Sequence, residues 1–186
     1  MLHNARIPIV GFAAWSGTGK TTLLTRIVPL LRDAGLRVGV VKHAHHNFEI
    51  DREGKDSYQL RMAGASQMMI ASSKRWALMV EREVESEVSL DDVLLDVEQG
   101  DLDVILVEGF KSESFAKIEL RRTARKAPRI EDPNIIAIAS DTPEGEDTHL
   151  PVLDLNSPDA IAQFIVEKIV AAHEHSGAGK ETVANV

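Results

Sequence analysis

One short segment near the start of the chain carries the residue types that bind nucleotide phosphates. It runs Trp15-Ser16-Gly17-Thr18-Gly19-Lys20-Thr21-Thr22. Glycines let successive backbone N–H groups turn toward phosphate oxygens, a lysine bridges the β- and γ-phosphates, and the following hydroxyl binds Mg²⁺. Lys20 supplies the charge here, Thr21 the hydroxyl for Mg²⁺, and Thr22 a contact to the α-phosphate. The segment therefore predicts a P-loop that holds a nucleoside triphosphate with Mg²⁺.

The first position of this loop departs from the strict pattern G-x-x-x-x-G-K-[ST], because Ala14 stands where the pattern has glycine. Alanine is small, and at the end of a strand it need not block the turn. The alternative is a glycine-rich turn without a ligand. An apolar run before the loop, an apolar helix after it and the intact Gly-Lys-Thr-Thr core favour phosphate binding.

P-loop proteins hold Mg²⁺ with a further carboxylate at the end of a buried strand. The run from Asp103 to Gly109 has four apolar residues followed by Glu108. Open α/β sheets bind ligands at the carboxyl ends of their strands, so Glu108 is predicted as the metal-side acid. Asp103 lies at the other end of the strand, ~16 Å away along an extended chain, and is the weaker candidate. The alternative for Glu108 is a solvated acid at a strand end.

The elements that would position these groups follow from hydrophobic periodicity. Ile7–Ala14 and Val38–Val41 are apolar runs typical of buried strands, and Thr21–Ala34 has helical spacing with Gly35 as its C-cap. Pro29 is expected to kink or shorten this helix. The order strand, helix, strand indicates parallel pairing.

The rest of the chain continues this alternation. Further strands are predicted at Gln67–Ala71 and Trp76–Val80, joined as a hairpin, and at Asp103–Val107, Lys117–Leu120, Ile135–Ala139 and Leu150–Leu153. Helices are predicted over Asp56–Ala63, from the N-cap Ser89 to about Glu98, and from Ser157-Pro158 to about Ala172. We therefore predict an α/β protein with the three-layer fold of P-loop NTPases, a mostly parallel central sheet and an added β-hairpin region.

Bulk composition limits the classes of protein that remain. The chain has 186 residues and 44% hydrophobic content, which suits one nucleotide-binding domain over residues 1–174 and a flexible tail at 175–186. Its formal charge of −8 disfavours nucleic acid and anionic membranes as partners. The absence of cysteine excludes disulfides and thiolate metal sites. With no export signal and no apolar run near the roughly 20 residues that span a bilayer, we expect a cytoplasmic protein.

Two further segments accompany the P-loop in an order that is far more specific than the loop alone. They are Val41-Lys42-His43-Ala44-His45-His46 and Leu106-Val107-Glu108-Gly109-Phe110-Lys111. Together with the P-loop they resemble the MobB family of molybdopterin-guanine dinucleotide biosynthesis adapter proteins. The resemblance extends over about residues 5 to 170.

The resemblance implies a GTP-binding protein that acts in molybdenum cofactor maturation and hydrolyses GTP weakly with Mg²⁺. Carried over to this chain, Lys20 and Glu108 would serve the phosphate chemistry, and Thr21 with Glu108 would hold the metal. The family forms homodimers and is thought to assist the MobA guanylyltransferase, which joins GMP to molybdopterin. Molybdopterin is therefore a candidate ligand. Family members accept alanine at the first P-loop position, which accommodates Ala14.

Selection of guanine has one candidate residue. The Asn-Lys-x-Asp signature of ordinary GTPases is absent, but Ser140-Asp141 follows the predicted strand Ile135–Ala139. A carboxylate at Asp141 can accept hydrogen bonds from guanine N1–H and the exocyclic amine, a pair that adenine does not offer. The alternative is that Asp141 caps a turn before Pro143.

Several other polar residues have roles that the sequence leaves open. His43, His45 and His46 would contact a pterin phosphate, a molybdate oxygen or a metal, or would lie in a solvated loop. Basic residues that would bind phosphate or the pterin, or be ordinary surface charges, are Arg75, Lys111 and Lys117.

Two other functional classes fit the same loop. A small-molecule kinase or ATP-dependent ligase would need a lid, for which Arg121, Arg122 and Arg125 are the available arginines. A purely structural adapter would use the nucleotide only to order a dimer interface. No water-positioning glutamine and no arginine finger can be assigned, so slow turnover is expected of a GTPase.

Overall fold

The computed structural model describes residues 2–44, 48–82 and 87–175. The chain divides into two compact units, the first formed by Met1–His43 with Ser89–Val186 and the second by Ala44–Val88. Within the described residues, no helix is long and apolar enough to cross a membrane. The predicted boundary near residue 174 and the predicted tail stay predictions, because residues 176–186 lie outside the described part of the chain.

The first unit is built on a six-stranded sheet in which every neighbouring pair is parallel. Its strands are β1 (Ile9–Ala13), β2 (Val38–Lys42), β5 (Val104–Glu108), β6 (Lys117–Arg121), β7 (Ile135–Ser140) and β8 (Val152–Asp154). Their order across the sheet is β2-β5-β1-β6-β7-β8. The first strand is therefore central, and the loop that leaves it emerges between the ends of β5 and β6.

Helices cover both faces of this sheet. They are α1 (Lys20–Asp33), α3 (Leu90–Asp96) and a C-terminal helix in three parts, α4 (Pro158–Ile165), a π-helical turn (Val166–Val170) and α5 (Ala171–His175). Because side chains alternate along a strand, Val10 and Phe12 face α1 and α4, whereas Ile105 and Val107 belong to the cluster beneath α3. The predicted three-layer α/β fold with a parallel sheet is confirmed.

Helix α1 passes through Pro29 without ending there, so the expected shortening is wrong. Pro29 removes one backbone donor, but Ile27 and Leu31 on either side are completely buried and hold the helix to the sheet. The helix ends as predicted at Gly35, which has φ +89°. The Gly35 N–H donates to Arg32 O at 2.9 Å and the Leu36 N–H to Leu31 O at 3.1 Å, the two bonds of a Schellman cap.

The two predicted serine caps differ in the structure. Ser89 Oγ accepts the Asp92 N–H at 3.0 Å and begins α3, as predicted. Ser157 occupies the N-cap position of α4, but within the described residues its side chain accepts no capping bond. Pro158 at the first position of α4 fixes a helical φ and needs no acceptor, which supplies the start signal instead.

The second unit contains α2 (Asp56–Met62) and the antiparallel hairpin of β3 (Gln67–Ala71) and β4 (Trp76–Val80), which pair as predicted. Of its described residues, Met79 is the one buried hydrophobic side chain. Its most enclosed ion pair joins Arg61 to Asp51 at 2.9 Å, and Arg61 also donates to Glu81 at 2.9 Å and to Glu49. These bonds raise the pKa of Arg61 and anchor α2 to its surroundings.

Candidate functional site

The predicted P-loop connects β1 to α1 and has the backbone conformation that its glycines allow. Gly17 and Gly19 have φ of +73° and +100°, in the left-handed region that favours glycine. Ala14 is fully buried at the end of β1, and its carbonyl accepts a hydrogen bond from Lys20 Nζ at 3.2 Å. Alanine at the first position therefore fits into the core, as its small size predicted.

The N-terminus of α1 points its free donors at this loop. The first backbone bond of the helix joins the Leu23 N–H to Gly19 O at 2.9 Å. The N–H groups of Lys20, Thr21 and Thr22 precede that bond and have no acceptor within the helix. Orphan donors at a helix start, together with the helix dipole, form a ready anion-binding site.

Glu108 ends β5 beside the P-loop, where the sequence placed it. In the sheet register Glu108 pairs with Phe12 of β1 on one side and Lys42 of β2 on the other. The Thr21 hydroxyl lies 3.3 and 3.4 Å from the two carboxylate oxygens of Glu108. A hydroxyl and one carboxylate at a phosphate site are the protein ligands that Mg²⁺ commonly uses, with phosphates and water completing its octahedron.

The described residues contain no cluster of three or more His, Asp or Glu side chains that could hold a metal by themselves. The donor set of Thr21 and Glu108, one hydroxyl and one carboxylate, suits a metal that arrives with a phosphate ligand. The residues present fit Mg²⁺ held jointly by protein and nucleotide.

Two further lysines, Lys42 and Lys111, and the carboxylate of Glu108 lie within electrostatic reach of Lys20. Burial, reinforced by the positive charge of Lys111 and then of Lys42, holds the pKa of Lys20 below its ordinary value, although Glu108 opposes the shift. Lys42 Nζ lies 3.7 Å from Glu108 Oε2. Crowded cations are stabilised by a polyanion, so the electrostatics favour phosphate at this point.

Asp103 lies at the opposite end of the strand and has a separate partner. Its carboxylate accepts the Arg37 backbone N–H at 2.8 Å and Arg37 Nε at 3.2 Å. Asp103 therefore ties the start of β2 to the start of β5, whereas Glu108 faces the P-loop.

Asp141 follows β7, but its carboxylate already accepts hydrogen bonds from the connection between β6 and β7. Oδ1 accepts the Thr123 backbone N–H at 2.8 Å and the Thr123 hydroxyl at 2.9 Å, and Oδ2 lies 4.0 Å from Arg122. The Thr123 backbone bond is the main cause of a lowered pKa for Asp141. The carboxylate thus holds the connection between β6 and β7, and its role toward a base stays a prediction.

The remaining polar candidates fall into different surroundings. The His43 N–H donates to Glu108 O at 2.8 Å, and its ring stacks on Phe110 with centroids 4.5 Å apart. Lys111 is exposed, and it lies close enough to Lys20 for its positive charge to lower the pKa of Lys20. Arg75 lies in the hairpin turn of the second unit. His45 and His46 lie outside the described residues.

Lys117 is a structural residue, so both alternatives for it, a contact to phosphate or the pterin and an ordinary surface charge, are wrong. Its side chain is 1% exposed at the start of β6, the edge of the sheet opposite the P-loop. Its ammonium pairs with Asp132 at 2.8 Å, donates to Glu113 O and lies over the Phe115 ring. A buried lysine with these partners has no access to a ligand.

Two arginines contact the P-loop in a way that the sequence did not reveal. Arg122 Nε donates to Thr18 O at 2.8 Å, and Arg125 Nη2 donates to Gly17 O at 3.0 Å. Trp15 Nε1 donates to Pro128 O at 2.9 Å. These residues border a cavity of about 410 Å³ beside the loop. Arg121, the third arginine considered for a lid, pairs instead with Glu119 and Glu146.

The parallel sheet, the glycine loop after its central strand and the Lys20–Thr21–Glu108 arrangement define a P-loop protein. Comparison with known proteins narrows this class. The model of the family "MobB: Molybdopterin guanine dinucleotide synthesis protein B" matches residues 9–141, and the chain belongs to that family.

Relatives that match nearly the whole length of this chain agree with its assignment to the MobB family. The molybdopterin-guanine dinucleotide biosynthesis adapter protein of Escherichia coli (strain K12) is 47% identical over 170 residues, covering 90% of this chain and 96% of that protein. The adapter protein of Haemophilus influenzae is 42% identical over 163 residues, covering 87% and 89%. A crystal structure of Bacillus subtilis MobB superposes with a TM-score of 0.67 at 26% identity, covering 88% of this chain and 98% of that one.

Proposed function

We propose that this protein is a GTP-binding accessory protein in molybdopterin guanine dinucleotide biosynthesis, with weak Mg²⁺-dependent GTP hydrolysis. The observation that carries the proposal is the convergence of Lys20, Thr21 and Glu108 at the P-loop of a MobB family member. The adapter role follows that of the Escherichia coli and Haemophilus influenzae relatives, and the proposed location is the cytoplasm.

The phosphates would be held by Lys20 and by the backbone donors of the loop, the segment Ser16-Gly17-Thr18-Gly19-Lys20-Thr21-Thr22. Bound Mg²⁺ would neutralise phosphate charge, and Thr21 and Glu108 are the protein groups placed to hold it. Lys20 would stabilise charge on the phosphates, the protein's own contribution to hydrolysis. Asp141 remains our candidate for recognising guanine.

Two features of the first unit support the proposal of slow hydrolysis. The first unit has two glutamines, and neither can orient a water molecule at the P-loop. Gln99 is buried where it donates to Asn4 O and Leu94 O, and Gln163 of α4 donates to Glu167. Arg122 and Arg125 are bonded to loop carbonyls rather than aimed at the mouth of the site. A GTPase that lacks both a water-positioning glutamine and an arginine finger turns over slowly.

The proposed partners are a MobA-like guanylyltransferase, molybdopterin and a second copy of this chain. The second unit supports dimerisation, because Met69, Trp76, Leu78 and Val80 are exposed apolar residues on its strands. An isolated two-stranded hairpin with an exposed apolar face is marginally stable in water and gains from a partner.

A reconstituted synthesis reaction tests the proposal. A MobA-like guanylyltransferase, molybdopterin, GTP and Mg²⁺ are combined, and formation of the dinucleotide is measured with and without this protein. We expect stimulation by the wild type, retained by the exposed control Arg32→Ala and lost in Lys20→Ala. Equal stimulation by Lys20→Ala would contradict a role for the nucleotide site. In a separate competition assay, tighter binding of ATP than of GTP would favour the kinase or ligase alternative.

A further inference from the structure

Three side-chain contacts join the outer side of the P-loop to one segment, Arg122–Arg129, which we name the strap. Arg122 bonds Thr18 O, Arg125 bonds Gly17 O, and Trp15 bonds Pro128 O, all at 2.8 to 3.0 Å. The strap leaves the end of β6 and leads toward β7. Consecutive peptide groups of the phosphate loop are therefore held from outside by charged donors.

The direction of these bonds bears on phosphate binding. A loop that binds an anion turns backbone N–H groups toward it, so the carbonyls of the same peptides must point away. A peptide that flips would present an oxygen to the phosphate and repel it. A guanidinium donates charge-assisted bonds in a fixed planar geometry, so Arg122 and Arg125 stabilise the orientation in which the carbonyls face outward.

The fit between the strap and Gly17 is close. A Cβ added to Gly17 would lie 2.1 Å from Arg125 Nη2, and one added to Gly19 would lie 3.7 Å from Arg122 Nη2. Glycine at position 17 is required by its positive φ, and the absence of a side chain there leaves room for the guanidinium of Arg125.

The strap has a second attachment away from the loop. Thr123 donates twice to Asp141 at the end of β7, and Arg129 Nη2 lies 3.4 Å from Glu146 Oε2. The strap is therefore anchored to the exit of β7 and can hold the P-loop in place from a fixed position.

We propose that Arg122 and Arg125 are positioning residues that keep the P-loop in its phosphate-binding conformation from the outside. This inference rests on the proposed nucleotide function and deepens it, because it makes the β6–β7 connection part of the phosphate site. Neither arginine needs to contact the nucleotide for this role.

The test measures GTP affinity by calorimetry in a Trp76→Phe background, in which Trp15 is the single tryptophan. Arg122→Ala and Arg125→Ala should each weaken GTP binding roughly three- to tenfold, because the bonds are charge-assisted but partly screened by solvent. The double variant should lose more. The exposed helix residue Arg32 gives the matched control, and Arg32→Ala should bind GTP like the parent.

Two further measurements separate positioning from a general loss of structure. Without nucleotide, the thermal midpoints should stay close to the parent's, while Trp15 emission should shift to the red as its contact with Pro128 loosens. Arg122→Lys should recover only part of the affinity, because lysine keeps the charge but not the Nε–H donor. Full recovery by Arg122→Lys would show that charge alone acts and would overturn the positioning role.

The outcomes also distinguish failure of the positioning role from failure of the proposed nucleotide-binding function. If the wild type bound neither GTP nor ATP, the proposed function would fail. If the wild type bound GTP and both alanine variants bound it equally well, only the positioning role would fail. Unchanged affinity with slower hydrolysis would place the arginines on the reacting phosphate and would also overturn positioning.

Discussion

At the scale of single residues, the site depends on two opposite charges that lie near each other because two parallel strands end side by side. Lys20 begins α1 after the loop that leaves β1, Glu108 ends β5, and the Thr21 hydroxyl lies 3.3 Å from the Glu108 carboxylate. A free carboxylate there repels phosphate unless a cation lies between them. Glu108 should therefore act through Mg²⁺.

Glu108→Gln keeps the size of the side chain and removes its charge. We expect Mg²⁺ to enhance GTP affinity about tenfold less in this variant, whereas GTP binding without Mg²⁺ should be unchanged or tighter. Calorimetry with Mg²⁺ and with a chelator measures both. The control is Asp103→Asn at the other end of the strand, which should leave the Mg²⁺ effect intact; an equal loss in both variants would contradict the metal role of Glu108.

The lowered pKa of Lys20 predicts a proton linked to binding. Below its folded pKa Lys20 is already charged, and above the ordinary lysine pKa the unfolded chain also loses its proton. Between these limits, at alkaline pH, the folded protein holds fewer protons, so its stability should rise with pH. A bound phosphate restores the charge, so GTP binding there should take up protons.

Calorimetry in alkaline buffers of different ionisation enthalpy measures this uptake. It should shrink in Lys111→Gln, which removes a cation that lowers the pKa of Lys20, and persist in Lys168→Gln, a lysine of the π-helical turn. Proton release when the wild type binds GTP would contradict a lowered pKa for Lys20.

At the scale of elements, glycines with the same backbone conformation have different roles, one in the P-loop and one at the end of a helix. Gly17 and Gly35 both have positive φ, but a Cβ at Gly35 would meet no atom within 4 Å, whereas at Gly17 it would strike Arg125. Gly35→Ala should lower the free energy of unfolding by about 1 kcal/mol with GTP affinity unchanged. Gly17→Ala should lower GTP affinity severely. Chemical denaturation and calorimetry compare the two, and equal affinities would refute the role of the loop conformation.

The elements that sequence predicts well are those specified by local pattern. The loop after β1 and the acid after β5 each follow an apolar run, and neighbouring strands β3 and β4 pair across a short turn. The contacts of Arg122 and Arg125 join residues 104 and 108 positions apart, and they depend on the path of the β6–β7 connection. The burial of Lys117 likewise depends on Asp132, a partner that periodicity does not reveal.

At the scale of the whole molecule, the exposed apolar residues of the second unit favour association between copies of the chain. Side chains at Met69 and Leu78 stand directly opposite each other on the hairpin and are 59% and 42% exposed, whereas Met79 on the other face is buried. An apolar face of this kind favours association.

We therefore expect a dimer in sedimentation experiments, weakened at low protein concentration by Met69→Lys with Leu78→Lys. The control Leu95→Lys changes a residue of the first unit that is 62% exposed and should leave the dimer intact. A wild-type monomer, or a dimer equally weakened by the control, would contradict assembly through the hairpin.

The proposed function requires the P-loop of this MobB family member to bind GTP. The most direct measurement is calorimetric titration of wild type and Lys20→Ala with GTP and with ATP, both with Mg²⁺. We expect saturable GTP binding by the wild type, weaker binding of ATP, and loss of GTP binding in Lys20→Ala. Preference for ATP, or GTP binding that survives the loss of Lys20, would contradict it.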